Sequence, residues 1–296
     1  MTYLCISVKK KHILTAISAV LAAFMILFSL PQGKSAVSAG TVPAESSEPT
    51  PLPVIMYHQI TADSNGADKY IVTCEQLESD FKYIRESGYT AITAEELYAC
   101  VKNGTSLPEK PIMITFDDGC ESFINYAVPL LEKYKLKAVM SVVGSFADRF
   151  TTVEDHNLRY SCLNWDEIAQ LNSSGIVEIA NHTYDMHNNS GGRKGASKKL
   201  GESDESYKAA LTADVGKMQE LTFKYTGKYP VTFTFPYGAM SKNSRSIISE
   251  MGFGVILTCE ERVNKITCDP QCLMGIGRYN RSGKYTTEKF FDKIEK

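Results

Sequence analysis

Histidine, tryptophan and basic clusters are scarce in this 296-residue sequence, which has five histidines and one tryptophan. After residue 39, no run of Lys and Arg resembles those that follow a phosphate backbone, so nucleic acid is not expected as a partner. No G-x-G-x-x-G motif follows the first short apolar run, which argues against a dinucleotide-binding domain. The eight cysteines lack the paired spacing of a small disulfide-stabilised domain. With 43% hydrophobic residues, the chain is instead expected to form a large globular domain, as a monomer.

The N-terminal segment 1–39 has no acidic residue and differs from the rest of the chain. Three lysines at 9–11 precede an uncharged apolar run at 13–30, and small residues at 37–39 match a signal-peptidase site. We predict a secretory signal peptide. An uncleaved membrane anchor is the alternative, because the run is long enough to span a bilayer. Both place the rest of the chain outside the cytoplasm, either extracellular or at the cell surface.

The remainder is predicted to comprise a linker and one domain at 54–296. Residues 40–53 are rich in Pro, Ser, Thr and Glu, which is typical of an extended linker. Short apolar runs then alternate with segments of helical periodicity; the runs lie at 54–57, 90–93, 111–116, 138–143, 176–180, 231–235, 254–258 and 274–278. This alternation predicts a parallel sheet, and its length predicts a distorted (β/α) barrel of seven or eight strands. An open doubly wound sheet is the alternative.

Polar or unusual side chains follow four of these apolar runs. In chain order they are His58, Asp117, Asp118, His182, His187, Pro236 and Tyr237. Because the carboxyl ends of parallel strands share one face of such a fold, we expect these residues to meet at one rim.

The chemistry of this group favours a metal-assisted hydrolase. Two imidazoles and one carboxylate leave positions open on a divalent metal, which makes water acidic enough to act near neutral pH. Asp117 and Asp118 are adjacent and point in different directions, so one can bind metal while the other accepts a proton. Simpler interpretations exist for single residues: an N-capped turn at 117–119, ordinary packing for Tyr237, and core for Trp165 rather than the wall of a sugar-binding groove.

Three motifs resemble those of the polysaccharide deacetylases of carbohydrate esterase family 4, which carry a NodB-homology domain. They are TFDDG at 115–119, HTYDMH at 182–187 and FPYG at 235–238. The resemblance covers roughly residues 53–280. The five-residue histidine spacing and the leading Met-Tyr-His at 56–58 are most similar to the branch that deacetylates poly-N-acetylglucosamine exopolysaccharides.

The resemblance implies a metal-binding set and a base. Asp118, His182 and His187 would bind the divalent metal, with zinc expected. Asp117 would be the general base. Tyr237, after Pro236, would lie beside the oxyanion and offer its backbone N–H.

The chain departs from the family pattern at two places. It has no histidine after His187, where many members have a catalytic acid in a late strand; His58 would take that role. Many members also have an Arg two residues before the Pro of the third motif, where this chain has Thr234. Arg278, at the end of the last apolar run, is the candidate that would orient Asp117.

The implied activity is removal of N-acetyl groups from N-acetylglucosamine units of an extracellular or cell-wall polysaccharide, with release of acetate. An exopolysaccharide is the favoured substrate, and peptidoglycan is the alternative. A catalytically silent carbohydrate-binding protein on the same fold is the other alternative, motivated by the missing Arg. A membrane contact is expected only through the N-terminal segment.

Overall fold

A computed structural model describes residues 48–295 of the protein. The strands are β1 Thr50–Leu52, β2 Val54–Tyr57, β3 Gln59–Thr61, β4 Ile71–Thr73, β5 Thr90–Ala91, β6 Pro111–Phe116, β7 Ala138–Val142, β8 Val177–Asn181, β9 Asn189–Ser190, β10 Arg193–Lys194, β11 Thr232–Thr234, β12 Val255–Leu257, β13 Asn264–Ile266 and β14 Tyr279–Asn280. The α-helices are α1 Cys74–Glu86, α2 Ala94–Asn103, α3 Val128–Tyr134, α4 Gly144–Thr152, α5 Trp165–Ser173, α6 Asp204–Thr226, α7 Ser244–Glu250 and α8 Thr287–Ile294.

The N-terminal predictions fall largely beyond this part of the chain. The predicted signal peptide or anchor at 1–39 and the first residues of the predicted linker lie outside the described residues. The end of that linker is a strand instead, because β1 pairs antiparallel with β13 and buries Leu52 completely. Within residues 48–295, no helix has both the length and the apolar character needed to cross a membrane.

Eight strands form one parallel sheet. Their order is β12-β11-β8-β7-β6-β2-β14, with β5 paired to β6. Strands from β2 to β12 follow one another across the sheet in chain order, whereas a doubly wound sheet reverses its order at a switch point. An isolated parallel bridge also joins Leu257 of β12 to Ile276, three residues before β14. The predicted distorted barrel is therefore confirmed, and the open doubly wound alternative is wrong.

The prediction of a strand at 274–278 is wrong in its bounds. Only Ile276 forms a bridge there, and the paired strand is β14, at residues 279 and 280. This segment instead joins the two edges of the sheet: Ile276 pairs with β12, and β14 pairs with β2. Arg278 consequently precedes a strand rather than ending one, and its side chain is completely buried.

Local signals explain where the helices begin. Thr73 and Thr93 each form a capping box, with Gln76 and Glu96 respectively, as their three-residue spacing indicates. Asn164 caps α5 in the same way. These caps fix where the helices begin, directly after strands or loops. The apolar faces of the helices pack against the buried sheet.

Trp165 belongs to the core, so its interpretation as the wall of a sugar-binding groove is wrong. Its side chain is 1% exposed, and its ring stacks on Tyr225 with centroids 4.9 Å apart. The indole N–H donates to Asp148 Oδ1 at 2.7 Å, which satisfies the one polar atom that burial would otherwise leave unpaired.

Glu178 of β8 gives the fold a dependence on pH. Its carboxylate is 5% exposed and accepts hydrogen bonds from Thr232 Oγ1 and the Glu95 backbone N–H. Burial raises the pKa of Glu178 from its ordinary value of 4.5 to about 7. Between these two values the folded protein holds a proton that the unfolded chain releases, so the free energy of unfolding falls as pH rises.

We therefore expect Glu178→Gln to stabilise the protein more at pH 8 than at pH 5. The free energy of unfolding of the variant minus that of the parent should grow by about 2 kcal/mol from pH 5 to pH 8, because a Gln carries no charge to bury. Urea unfolding of both proteins at the two pH values measures it. Glu109→Gln, at an exposed position, is the control. A difference that does not change with pH would contradict the assignment.

Candidate metal centre and active site

Three side chains from two strand ends and a loop converge on one point. His187 Nε2 lies 3.0 Å from Asp118 Oδ1, and His182 Nε2 lies 3.5 Å from the same oxygen. The three donor atoms all lie within 4.8 Å of one another. The structure thus brings together the predicted metal-binding set, although the two histidines are five positions apart in the sequence.

The donor chemistry of this group fits a cation. His182 Nδ1 lies 2.8 Å from the Thr234 carbonyl oxygen, which can only accept, so Nδ1 carries the proton and Nε2 presents a lone pair. Asp118 Oδ1 is buried and has no hydrogen-bond partner among the described residues. Burial alone would raise the pKa of Asp118, but hydrogen bonds and positive charge from the two imidazoles, in their protonated form, outweigh it and hold that pKa well below its ordinary range. An ionised oxygen and an imidazole lone pair that face each other are ligands that a divalent metal can bind together.

The backbone around these side chains is strained. Among residues 48–295, four non-glycine residues have positive φ, and three of them lie here: Asp118, Thr183 and Tyr237. Each such position costs energy, which the surrounding hydrogen bonds must offset. The loop that carries His187 is held by Asp214 of α6, whose carboxylate accepts from the backbone N–H groups of residues 184 and 185.

Asp117 is locked by an arginine. Arg278 Nη1 and Nη2 donate to Asp117 Oδ1 and Oδ2 at 2.7 and 2.8 Å, and both side chains are buried. Burial would favour the protonated acid, but the Arg278 guanidinium outweighs it and lowers the pKa of Asp117 below 3.8. Asp117 is therefore a carboxylate of fixed orientation, and it keeps lone pairs beyond the two that Arg278 occupies.

His58 lines the same cavity as the converging residues. Its ring packs edge-on against Tyr70, with centroids 4.9 Å apart, and its Nδ1 is buried without a partner among the described residues. Burial lowers the pKa of His58 below 6.5, against the opposing charges of Asp117 and Asp118. The imidazole is thus mostly neutral at neutral pH.

Tyr237 borders the metal centre on its open side. Its ring is 48% exposed and lies 4.4 Å from the His187 ring, and its hydroxyl donates to the His187 carbonyl oxygen at 3.3 Å. Pro236 precedes it and is buried in a 3-10 turn. The left-handed backbone at Tyr237, with φ of 56°, turns the chain sharply beside the centre. Packing alone, the simpler interpretation of Tyr237, does not account for this exposure.

The site opens into a cavity of about 990 Å3, large enough for more than one sugar ring. Its walls include several aromatic rings: Tyr70, Phe146, Tyr160, Tyr237 and Tyr285. His58, Asp117, Asp118, His182 and His187 all line it. The lining thus includes every predicted site residue except Arg278, which lies behind Asp117, and the buried Trp165 and Pro236.

Sequence reasoning missed three contributors. Thr234 orients His182 through a backbone carbonyl, which no side-chain pattern can reveal. Asp214 lies in the middle of a long helix among other polar residues, and Tyr70 follows an irregular loop. Only a fold that places these segments beside the strand ends makes their roles visible.

Comparison with known proteins agrees with this geometry. The polysaccharide deacetylase family model matches residues 104–256. A poly-β-1,6-N-acetyl-D-glucosamine N-deacetylase of Escherichia coli K12 is 24% identical over 229 residues, and one of Staphylococcus aureus MRSA252 is 27% identical over 201. The structure of a de-N-acetylase from Aggregatibacter actinomycetemcomitans superimposes with a TM-score of 0.70 at 23% identity, covering 81% of this chain and 100% of that one.

The matched region is most of this chain but a smaller share of each curated relative. The matches cover 70% and 68% of this chain, but 33% of the E. coli protein and 65% of the S. aureus protein. The family model covers more than half of the present chain and includes the Asp117-Asp118 and His182–His187 motifs. The chain therefore belongs to the polysaccharide deacetylase family.

Proposed function

We propose that this chain is a metal-dependent N-deacetylase that removes acetyl groups from N-acetylglucosamine units of an exopolysaccharide outside the cytoplasm. One observation carries the proposal: Asp118, His182 and His187 converge beside an Asp117 that Arg278 holds ionised, within one open cavity. A metal-binding set next to a separate fixed carboxylate is what hydrolysis of an amide by water requires.

The chain's own residues then divide the chemistry. A divalent metal such as zinc would be held by Asp118, His182 and His187 and would supply Lewis acidity toward a carbonyl and a water. Asp117 would accept the proton of the attacking water, and Arg278 would keep its carboxylate aimed at that water. The tight Arg278 pair makes Asp117 a weak base, so its orientation matters more than its basicity.

His58 and Tyr237 would act on the other atoms of the amide. His58 would donate a proton to the departing sugar nitrogen; because its pKa is lowered, only a minor fraction of the protein carries that proton at neutral pH. Tyr237 would offer its backbone N–H to the oxyanion, with Pro236 fixing the turn. Acetate leaves, and the polymer gains an amine.

The substrate class is supported by the relatives and by the cavity. Both curated relatives are named for poly-β-1,6-N-acetyl-D-glucosamine. The aromatic rings of the cavity wall suit the apolar faces of sugar rings. The location outside the cytoplasm is supported by the predicted signal peptide or anchor at 1–39.

The contact between Arg278 and Asp117 argues against the alternative of a catalytically silent carbohydrate-binding protein. That alternative depended on the absence of an Arg before the third motif, which left the orientation of Asp117 unexplained. Arg278 makes the required two-pronged contact from a different segment. This contact supports an active enzyme over a silent binding protein.

Acetate release from a panel of polymers tests the proposal. The full chain with added zinc is expected to release acetate fastest from poly-β-1,6-N-acetylglucosamine, and a chelator should stop the release. Faster release from peptidoglycan would favour the cell-wall alternative. No release from either polymer or from chitin oligomers, at any zinc concentration, would leave a binding protein.

A further inference from the structure

A second group of metal-binding side chains lies outside the active site. We propose that Glu121, His156 and Glu167 form a further site for a divalent transition-metal ion, for which Zn2+ is the probe. This ion would fix the loop at 153–164 against the rest of the domain. The site goes beyond the proposed deacetylation and shares no residue with its metal centre.

The three residues come from three separate segments. Glu121 follows the turn after β6, His156 lies in the loop between α4 and α5, and Glu167 lies in the first turn of α5. Their donor atoms lie within 4.8 Å of one another, and His156 Nδ1 is 2.7 Å from Glu121 Oε1. Folding alone has thus assembled one imidazole and two carboxylates.

The buried Glu121 carboxylate needs a positive charge beside it. Its side chain is 5% exposed, yet within residues 48–295 His156 is its only hydrogen-bond partner. A buried carboxylate normally accepts several hydrogen bonds or faces a full positive charge. His156 is 57% exposed, so an ion can reach the cluster from the solvent on that side.

Glu167 completes the set. Its Oε2 accepts the Asn164 backbone N–H at 2.9 Å, and one of its carboxylate oxygens lies within 4.8 Å of the ligand atoms of Glu121 and His156. Burial, and to a smaller extent the nearby Glu121 charge, raise the pKa of Glu167. One nitrogen and two carboxylate oxygens suit Zn2+, with water in the remaining positions.

The position of the site indicates its purpose. The loop at 153–164 contributes Arg159, Tyr160 and Cys162 to the wall of the active-site cavity. Glu121 lies three residues after Asp118, and its backbone N–H donates to the Ser161 carbonyl oxygen at 2.9 Å. An ion here would join the loop to the segment that carries the metal-binding aspartate, and so shape the cavity wall without taking part in hydrolysis.

Zinc counting in an Asp118→Asn background tests the site apart from the catalytic centre. The full chain is equilibrated with Zn2+, desalted and analysed for bound metal. Adding Glu167→Gln should remove one zinc equivalent, and adding His156→Gln should do the same. Gln keeps the helix cap at 167, because its amide oxygen can still accept the Asn164 N–H. His156 is exposed, so its replacement does not threaten folding.

Glu154→Gln is the matched control, since it removes one acidic charge from the same loop at an exposed position outside the cluster. It should retain the zinc. Hydrogen exchange gives a second readout: Zn2+ should slow exchange of the 157–163 amides in Asp118→Asn but not after Glu167→Gln is added. Equal zinc content in all variants, with unchanged exchange, would reduce the cluster to a His–Glu ion pair and overturn the proposal.

Discussion

Replacing Asp118 with Asn is expected to slow acetate release by about three orders of magnitude, because several kcal/mol of transition-state stabilisation depend on the metal. Asn offers a neutral oxygen where the two imidazoles face an ionised one. The dependence of activity on free zinc measures the effect. The concentration that saturates the parent should not restore the variant.

The matched control for this change is Asp292→Asn, at an exposed position of α8 outside the cavity. It should leave both the rate and its zinc dependence unchanged. A parental rate in Asp118→Asn would remove Asp118 from the metal-binding set, whatever the structure brings together there.

Replacing Arg278 with Lys should reduce kcat by about 100-fold, with a much smaller change in KM, because Lys cannot hold both oxygens of Asp117 at once. The charge remains, so the loss reports orientation rather than ionisation. Steady-state kinetics on poly-β-1,6-N-acetylglucosamine measures both constants.

Arg278→Met extends this test through its pH dependence. Arg278 lowers the pKa of Asp117, so its removal lets that pKa rise. Since Asp117 must be ionised to accept a proton, the acidic limb of the pH–rate profile should move to higher pH in Arg278→Met and less in Arg278→Lys. A purely structural arginine would lower the rate without moving that limb.

The chain supplies a control for Arg278. Arg281 is also completely buried and makes an equivalent two-pronged contact, from Nε and Nη2 to the two oxygens of Asp80. Arg281→Lys should destabilise the fold in a similar way yet leave kcat of the folded protein near the parent's. Equal losses of kcat in both variants would mean that Arg278 acts only through stability.

The sequence was sufficient to predict the sheet and the gathering of the site residues. Apolar runs such as 111–116 match the strand bounds closely, since a strand buried on both faces requires continuous apolar residues. The reactive residues follow those runs because parallel strands end on one face. These features depend on local composition, which a single sequence contains.

Other features depend on contacts between distant segments and could not be predicted. The run at 274–278 has the composition of a strand, but the chain there passes between two edges of the sheet and pairs only at Ile276 before β14. The sequence around Trp165 is compatible with a core position and with a sugar-binding groove, and only its packing on Tyr225 distinguishes the two. His156 lies in a polar loop, and no local pattern indicates its contact with a buried glutamate 35 residues away.

Anomalous diffraction from crystals grown with zinc tests the central claim most directly. The account predicts an anomalous peak bonded to Asp118 Oδ1, His182 Nε2 and His187 Nε2, at about 2.0–2.2 Å from each. Asp117 should remain paired with Arg278 and outside the coordination sphere. Zinc bound elsewhere while these three side chains stay free, or zinc bound to Asp117 in place of Asp118, would contradict it.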